Sequence, residues 1–370
     1  MKVTFRWFGQ DDDSVTLKQI RQIPGMYSVV GALHDLPAGE VWPLDRVLAL
    51  KKEIEQEGMA FDVVESVNVH EDIKLGLPTR DRYIEAYQET IRNLSEAGVK
   101  VICYNFMPVF DWTRSHLAKE LPDGSTVMAY EKAKVEQVDT QVLIDMMGEE
   151  AKVFSLPGWE PERMKTIKRL FEQYQNITEE HLFENLRYFL EKIIPVAEEF
   201  NVRMAIHPDD PPWPIFGLPR IVTSKEQLER IVQIVDSPSN AITLCSGSLG
   251  ANPANNIPEI TRFFAEKNKI AFAHIRNVKI EDNGDFYESS HRSEDGSIDI
   301  YAVVKALHDT GFDGYFRPDH GRMIWGEKAR PGYGLYDRAL GIMYILGIWD
   351  SLEKEKEEKQ YVSYSSGAAK

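Results

Sequence analysis

The sequence is poor in cysteine, with only Cys103 and Cys245 in 370 residues. A disulfide framework is therefore excluded, and this usage fits a reducing compartment. Long apolar runs are also lacking. No stretch approaches the ~18 residues of a membrane span, and the opening MKVTFRWFGQDDDS has three acids where a secretory signal needs an apolar core. The chain is expected in the cytoplasm, with no membrane partner. Basic charge is in deficit, 43 Lys and Arg against 59 Asp and Glu, for a net charge of −16. Such a surface repels polyanions, which excludes nucleic acid as a principal partner and requires local Arg or Lys for any anionic substrate.

What is present is an ordinary folding composition, 43% hydrophobic and 28% charged, with enough apolar surface for one large core. Short β-rich runs alternate with amphipathic stretches. The runs are Val3–Trp7, Tyr27–Gly31, Phe61–Glu65, Val99–Tyr104, Val202–His207, Ala241–Cys245, Ile270–Ile275 and Gly314–Pro318. Several are almost continuously apolar, as strands covered on both faces must be. Helical periodicity follows over Ser14–Gln22, Pro43–Glu57, Arg80–Ala97, Thr178–Phe200, Ser224–Val235, Ile257–Asn268, Ile298–Thr310 and Tyr336–Trp349. Eight such pairs predict an α/β fold, a (β/α)8 TIM barrel. Ser14, Thr178 and Ser224 are N-cap candidates, and Gly58, Gly98 and Gly311 stand where a left-handed residue ends a helix.

About 97 residues separate Tyr104 from Val202, far more than a loop and one helix need. A long insertion after the fourth strand is implied, about residues 105–177, with a helical middle at Met128–Met147 and a Pro/Trp/Gly segment, LPGWEPE. It is expected to act as a lid or a subunit contact. Residues 1–350 thus form one barrel domain, and 351–370 a charged C-terminal tail. The insertion and the Trp- and Tyr-bearing last helix offer surfaces for a homodimer.

In a barrel the strand C-termini converge on one face, so the polar residues there carry the chemistry. The fifth strand ends in AIHPDD with His207, the sixth in TLCSGS with Cys245, the seventh in FAHIRN with His274 and the eighth in FRPDHG with Asp319. Two imidazoles, a thiolate and a carboxylate from consecutive strands make a four-ligand site for a divalent transition ion. Each residue alone has a bland reading, a buried small hydrophobe for Cys245 or a turn cap for the others. Their joint occurrence at equivalent strand ends favours the metal. Cys103, inside the apolar VICYNF run, reads as core.

Around these four, Arg276 shares strand parity with His274 and is expected to clamp a carboxylate. His320 is a candidate general acid or base, and either it or Asp319 is expected to serve the proton-transfer step. Arg317 shares parity with Asp319, while Asp209 and Asp210 follow His207 on one loop and can orient it or bind hydroxyls. Glu65 and Tyr104 lie at tips of earlier strands, as do Arg6, His34 and Asn105, which read equally well as structural. Tyr333, in the Gly/Pro turn RPGYGLYDRA, faces the same mouth with a phenol able to donate a proton.

The segments HPDDPPWPIFGLPRI (207–221), LCSGSLG (244–250), FAHIRNV (272–278) and FRPDHGR (316–322), with the start FRWFG, resemble the metal-dependent mannonate dehydratase family of hexuronate catabolism, over essentially the whole chain. The resemblance implies a xylose-isomerase-like TIM barrel that converts D-mannonate to 2-keto-3-deoxy-D-gluconate and water with Mn2+, Fe2+ being the other ion associated with the family. It implies His207, Cys245, His274 and Asp319 as metal ligands, and His320, Arg276 and Tyr333 in substrate handling or acid/base work. The donor set itself favours softer Zn2+ or Fe2+, since Mn2+ is the weakest binder of the divalent series.

Three rival readings remain. A sugar isomerase or epimerase on the same barrel conserves mass, where a dehydratase loses water. A DNA-repair nuclease is opposed by the net charge. A non-catalytic sugar-acid binding protein with a closed metal shell is opposed by a barrel mouth rich in Arg, His and Tyr.

Overall fold

The computed structural model describes residues 1–136 and 161–367. Among them, eight parallel strands close a barrel in the order β1, β12, β9, β8, β7, β4, β3, β2. In chain order the barrel strands are β1 (Lys2–Arg6), β2 (Met26–Gly31), β3 (Ala60–Glu65) and β4 (Val101–Tyr104), then β7 (Arg203–Ile206), β8 (Asn240–Cys245), β9 (Ile270–His274) and β12 (Tyr315–Arg317). Four further strands, β5 (His116–Glu120), β6 (Thr126–Tyr130), β10 (Val278–Ile280) and β11 (Phe286–Glu288), form a separate antiparallel sheet in the order β10, β11, β6, β5. All eight expected barrel strands are present.

Inside the barrel, Val30, Val63, Val101, Ala205, Ala241, Ala271 and Phe272 pack as one buried cluster. The outer faces of the strands meet the amphipathic helices in a second, larger core that includes Phe5, Ile102, Ile206, Ile242, Phe189 and Phe264. Burial on both faces is why these strands read as apolar runs rather than alternating ones. Gly58, Gly98 and Gly311 adopt positive φ values of 77°, 90° and 72°, a backbone conformation that a side chain strains.

Two sequence expectations are corrected here. Thr16, not Ser14, caps the first helix, through a capping box with Gln19. The helical middle expected at Met128–Met147 begins as β6, and only Lys132–Glu136 is helical, while residues 137–147 lie outside the described residues. Strand pairing on both sides, with β5 and with β11, overrides local helix propensity. Tyr130 stacks on Phe286 at 5.2 Å, so the hairpin after β4 is tied to the loop after β9. The charged tail continues the last helix, Tyr336–Gly367, rather than departing from it, and Leu352 is buried. Among the described residues, no helix is long and apolar enough to cross a membrane.

Candidate active site

The barrel register brings the expected ligands together. Cys245 pairs with His274 across β8 and β9, and His274 pairs with Arg317 across β9 and β12. His207 follows β7 directly, and Asp319 lies two residues past β12. One ligand atom from each of His207, Cys245, His274 and Asp319 falls within 4.8 Å of all the others. His207 Nε2 is 3.2 Å from His274 Nδ1, and Cys245 Sγ is 3.4 Å from Asp319 Oδ2.

The donor set fits a divalent ion. The backbone N–H of Ser248 lies 3.4 Å from Cys245 Sγ and its hydroxyl 3.0 Å, two donors that stabilise a thiolate. His207 Nδ1 is 2.7 Å from the Pro208 carbonyl, which fixes the tautomer that leaves Nε2 free to ligate. His274 Nε2 accepts from Arg317 Nε at 3.0 Å, with Glu65 Oε2 3.3 Å away, so the ring is oriented from the side opposite His207. Despite burial, Arg317, His320, His274 and Arg276 hold the Asp319 carboxyl well below the usual carboxylate range.

Glu65, Cys103 and His274 also converge within ligand distance. Of its members Cys103 is the weakest donor, because burial and then the Glu65 charge push its thiol well up.

Arg276 does not reach the cavity as a free clamp. It is buried and spent within the protein, with Nε on Asp319 at 2.7 Å, Nη1 on Glu288 at 2.7 Å and Nη2 on Asp210 at 2.6 Å. Arg114 joins the same network, bonding Asp210 at 2.7 Å and Glu288 at 2.9 Å. Buried charges persist only when paired in this way. Asp209 is likewise turned away from the cavity. Its Oδ2 accepts from the backbone N–H of Val222 at 2.8 Å and its Oδ1 lies 3.5 Å from Arg220, so it shapes the loop after β7. Its neighbour Asp210 lines the cavity instead.

A cavity of about 180 Å³ opens at the strand C-termini, lined among others by Glu65, Tyr104, His207, Arg317, His320 and Tyr333. His320 Nε2 lies 3.0 Å from the Tyr333 hydroxyl, and its Nδ1 lies 3.2 Å from Glu288 Oε1. Burial raises the Tyr333 phenol, which keeps its proton. Glu288 moves the other way. Burial opposes its ionisation, but Arg276 and the hydrogen bond from His320 bring its carboxyl down to about 2. Among the described residues the buried Tyr104 hydroxyl and Arg317 Nη1 have no hydrogen-bond partner, which leaves both for a bound molecule.

Sequence reasoning missed Glu288, Arg114 and Trp112, whose ring stands edge-on to His320 at 5.7 Å. No local signal marks them, because β11 and the segment before β5 belong to no barrel unit.

A closed parallel barrel with two histidines, one cysteine and one aspartate gathered as a candidate metal site, and with a histidine–tyrosine pair at its mouth, has the architecture of a TIM-barrel enzyme. The sequence pattern of the D-mannonate dehydratase (UxuA) family matches residues 1–359. The mannonate dehydratase of Geobacillus thermodenitrificans is 65% identical over 360 residues, covering 97% of both chains. That of Thermotoga neapolitana is 62% identical over 357 residues, 96% of this chain and 99% of its own. The crystal structure of mannonate dehydratase from Streptococcus suis serotype 2 superposes with a TM-score of 0.87 at 46% identity, over 96% of this chain and 95% of that one. A xylose-isomerase-like TIM barrel protein from Mycobacterium smegmatis, solved in complex with magnesium, shares the fold alone, at 12% identity and a TM-score of 0.51 over 90% of this chain and 87% of that one. The chain belongs to the D-mannonate dehydratase family, and is thus a metal-dependent hydro-lyase rather than an isomerase or a binding protein.

Proposed function

We propose that the chain dehydrates D-mannonate to 2-keto-3-deoxy-D-gluconate and water in the cytoplasm, as a step of hexuronate catabolism. The observation that carries this reading is the His320–Tyr333 pair, 3.0 Å apart in the cavity that also admits the ligand residues His207 and Asp319. His207, Cys245, His274 and Asp319 would hold one divalent ion, Mn2+ by family resemblance, with Fe2+ the alternative. When bound, the ion stabilises as a Lewis acid the negative charge that develops when the proton α to a carboxylate is lost.

The protein side chains divide the proton work. Asp319 is a poor base, because Arg317 and Arg276 hold its carboxylate ionised at 2.6 and 2.7 Å. His320 is the better one, with Glu288 on Nδ1 and Nε2, which faces the Tyr333 hydroxyl, taking the C2 proton as that hydroxyl turns to the C3 oxygen. The protonated Tyr333 phenol then delivers a proton to the departing C3 hydroxyl, which leaves as water. Tyr104 and Arg317 bind substrate oxygens with their unpartnered groups, and Glu65 orients both His274 and Arg317.

A homodimer is the second part of the proposal. Tyr336, Leu340 and Met343 are exposed at helical spacing on the last helix, beside Trp325, which is 74% exposed and 5.7 Å from Tyr336. The two free, buried cysteines support a reducing compartment. The deciding assay supplies D-mannonate to chelator-stripped protein with and without Mn2+ and follows the product by mass. Loss of water dependent on the ion supports the reading. A product of unchanged mass, or full activity without added metal, overturns it.

A further inference from the structure

The cations of the cavity differ in what balances them. Arg317 bonds Glu65 at 2.8 Å and Asp319 at 2.6 Å, and Arg6 lies 3.5 Å from Glu65. Arg330 lines the same cavity, is exposed, and pairs with no carboxylate among the described residues. Its guanidinium carbon lies 4.2 Å from the centre of the Phe8 ring. Its carbonyl accepts from the backbone N–H of Tyr333 at 2.8 Å, so one turn carries both residues. Phe8 in turn meets the Tyr333 ring edge-on at 4.8 Å and the His34 ring at 5.3 Å.

We propose that Arg330, seated on Phe8, binds the carboxylate of the substrate and sets the preference of this site for a sugar acid over a neutral sugar. The proposal rests on the mannonate reading above and names the group that recognises the substrate's charge. The need for such a group is electrostatic. Glu65, Asp111, Asp210 and Asp319 line the cavity, against Arg6, Arg317 and Arg330. Arg276, the residue that sequence parity favours for this task, is consumed by Glu288, Asp210 and Asp319.

The geometry of Arg330 suits the role. A guanidinium fork matches a carboxylate with two parallel hydrogen bonds. Stacking on an aromatic face orients that fork without using its N–H donors. His34 adds no competing charge, since burial and then Arg6 and Arg330 push its pKa down to about 3.

The test is steady-state kinetics of the metal-loaded enzyme on D-mannonate for wild type, Arg330→Gln and Arg330→Lys, at low and physiological salt. Losing a charged hydrogen-bonding group predicts a KM raised ~10–100-fold in Arg330→Gln, with kcat changed far less and metal content intact. Arg330→Lys recovers part of the loss. Salt raises the wild-type KM more than that of Arg330→Gln, because an exposed charge is screened. A KM within about 2-fold of wild type in Arg330→Gln, or a loss confined to kcat, overturns the proposal while leaving the mannonate reading intact. A wild-type enzyme that does not dehydrate D-mannonate overturns both.

Discussion

His320 stands between Glu288 and Tyr333, with Nδ1 3.2 Å from one and Nε2 3.0 Å from the other. A ring held at both nitrogens keeps one tautomer and exchanges its proton at one end only. General acid–base groups contribute ~10²–10⁴ in rate, so His320→Asn and Tyr333→Phe are each expected to lower kcat by that range with metal content unchanged. The measurement is single-turnover conversion of D-mannonate alongside metal analysis. A variant that keeps more than about one tenth of wild-type kcat removes its residue from the proton-transfer step.

Glu65 lies 3.3 Å from His274 Nε2, on the side away from His207, and bonds Arg317, whose Nε donates to that same nitrogen at 3.0 Å. Loss of such an orienting carboxylate costs ~10–100-fold in metal affinity, which is the expectation for Glu65→Gln in competition with a chelator. Cys103→Ala should leave affinity unchanged, because its buried thiol stays protonated. Equal loss in both variants would move the ion to the Glu65–Cys103–His274 group.

The Glu288 carboxyl titrates near 2 in the folded protein, whereas an unfolded chain takes up that proton near ~4.3. The unfolded state therefore binds more protons between these values. The carboxylate contributes its full stability above ~4.3, and this is lost as pH falls towards the folded value. Denaturant unfolding of wild type should show stability dropping through that window, and Glu288→Gln should flatten the drop while lowering stability at neutral pH. An unchanged acid slope in the variant would refute the assignment.

A Cβ at Gly247 would lie 2.6 Å from Arg276 Cγ and 2.7 Å from its Cζ. Gly247→Ala must push aside the guanidinium that pairs with Asp319, and is expected to cost ~1–3 kcal/mol of stability and to weaken metal retention. A Cβ at Gly347, in the last helix, meets nothing within 4 Å among the described residues, so Gly347→Ala is expected to be neutral or stabilising by up to ~1 kcal/mol. Thermal unfolding of the two variants separates these outcomes.

The barrel was legible because each strand, buried on both faces, leaves a short apolar run between helical periods. The cluster of candidate ligands was legible because barrel strands end on one face, and His207, Cys245, His274 and Asp319 stand at those ends. The hairpin β5–β6 was not. Its second strand, Thr126–Tyr130, takes its conformation from β11, where Tyr130 pairs with Phe286, more than a hundred residues away. Glu288 escaped notice for the same reason, since nothing near it in the chain marks it as the partner of Arg114, Arg276 and His320.

The sequence by itself determined the fold class, the strand-end positions of the candidate ligands and the family, since these follow from local apolar periodicity and from short motifs. Only the tertiary structure decided which charges are free. Arg276 and Arg330 are equally basic as letters, yet one is buried against three carboxylates and the other lies over Phe8 with no acid beside it among the described residues. The worth of a charge depends on its desolvation and its partners, and those are set by contacts between segments far apart in the chain.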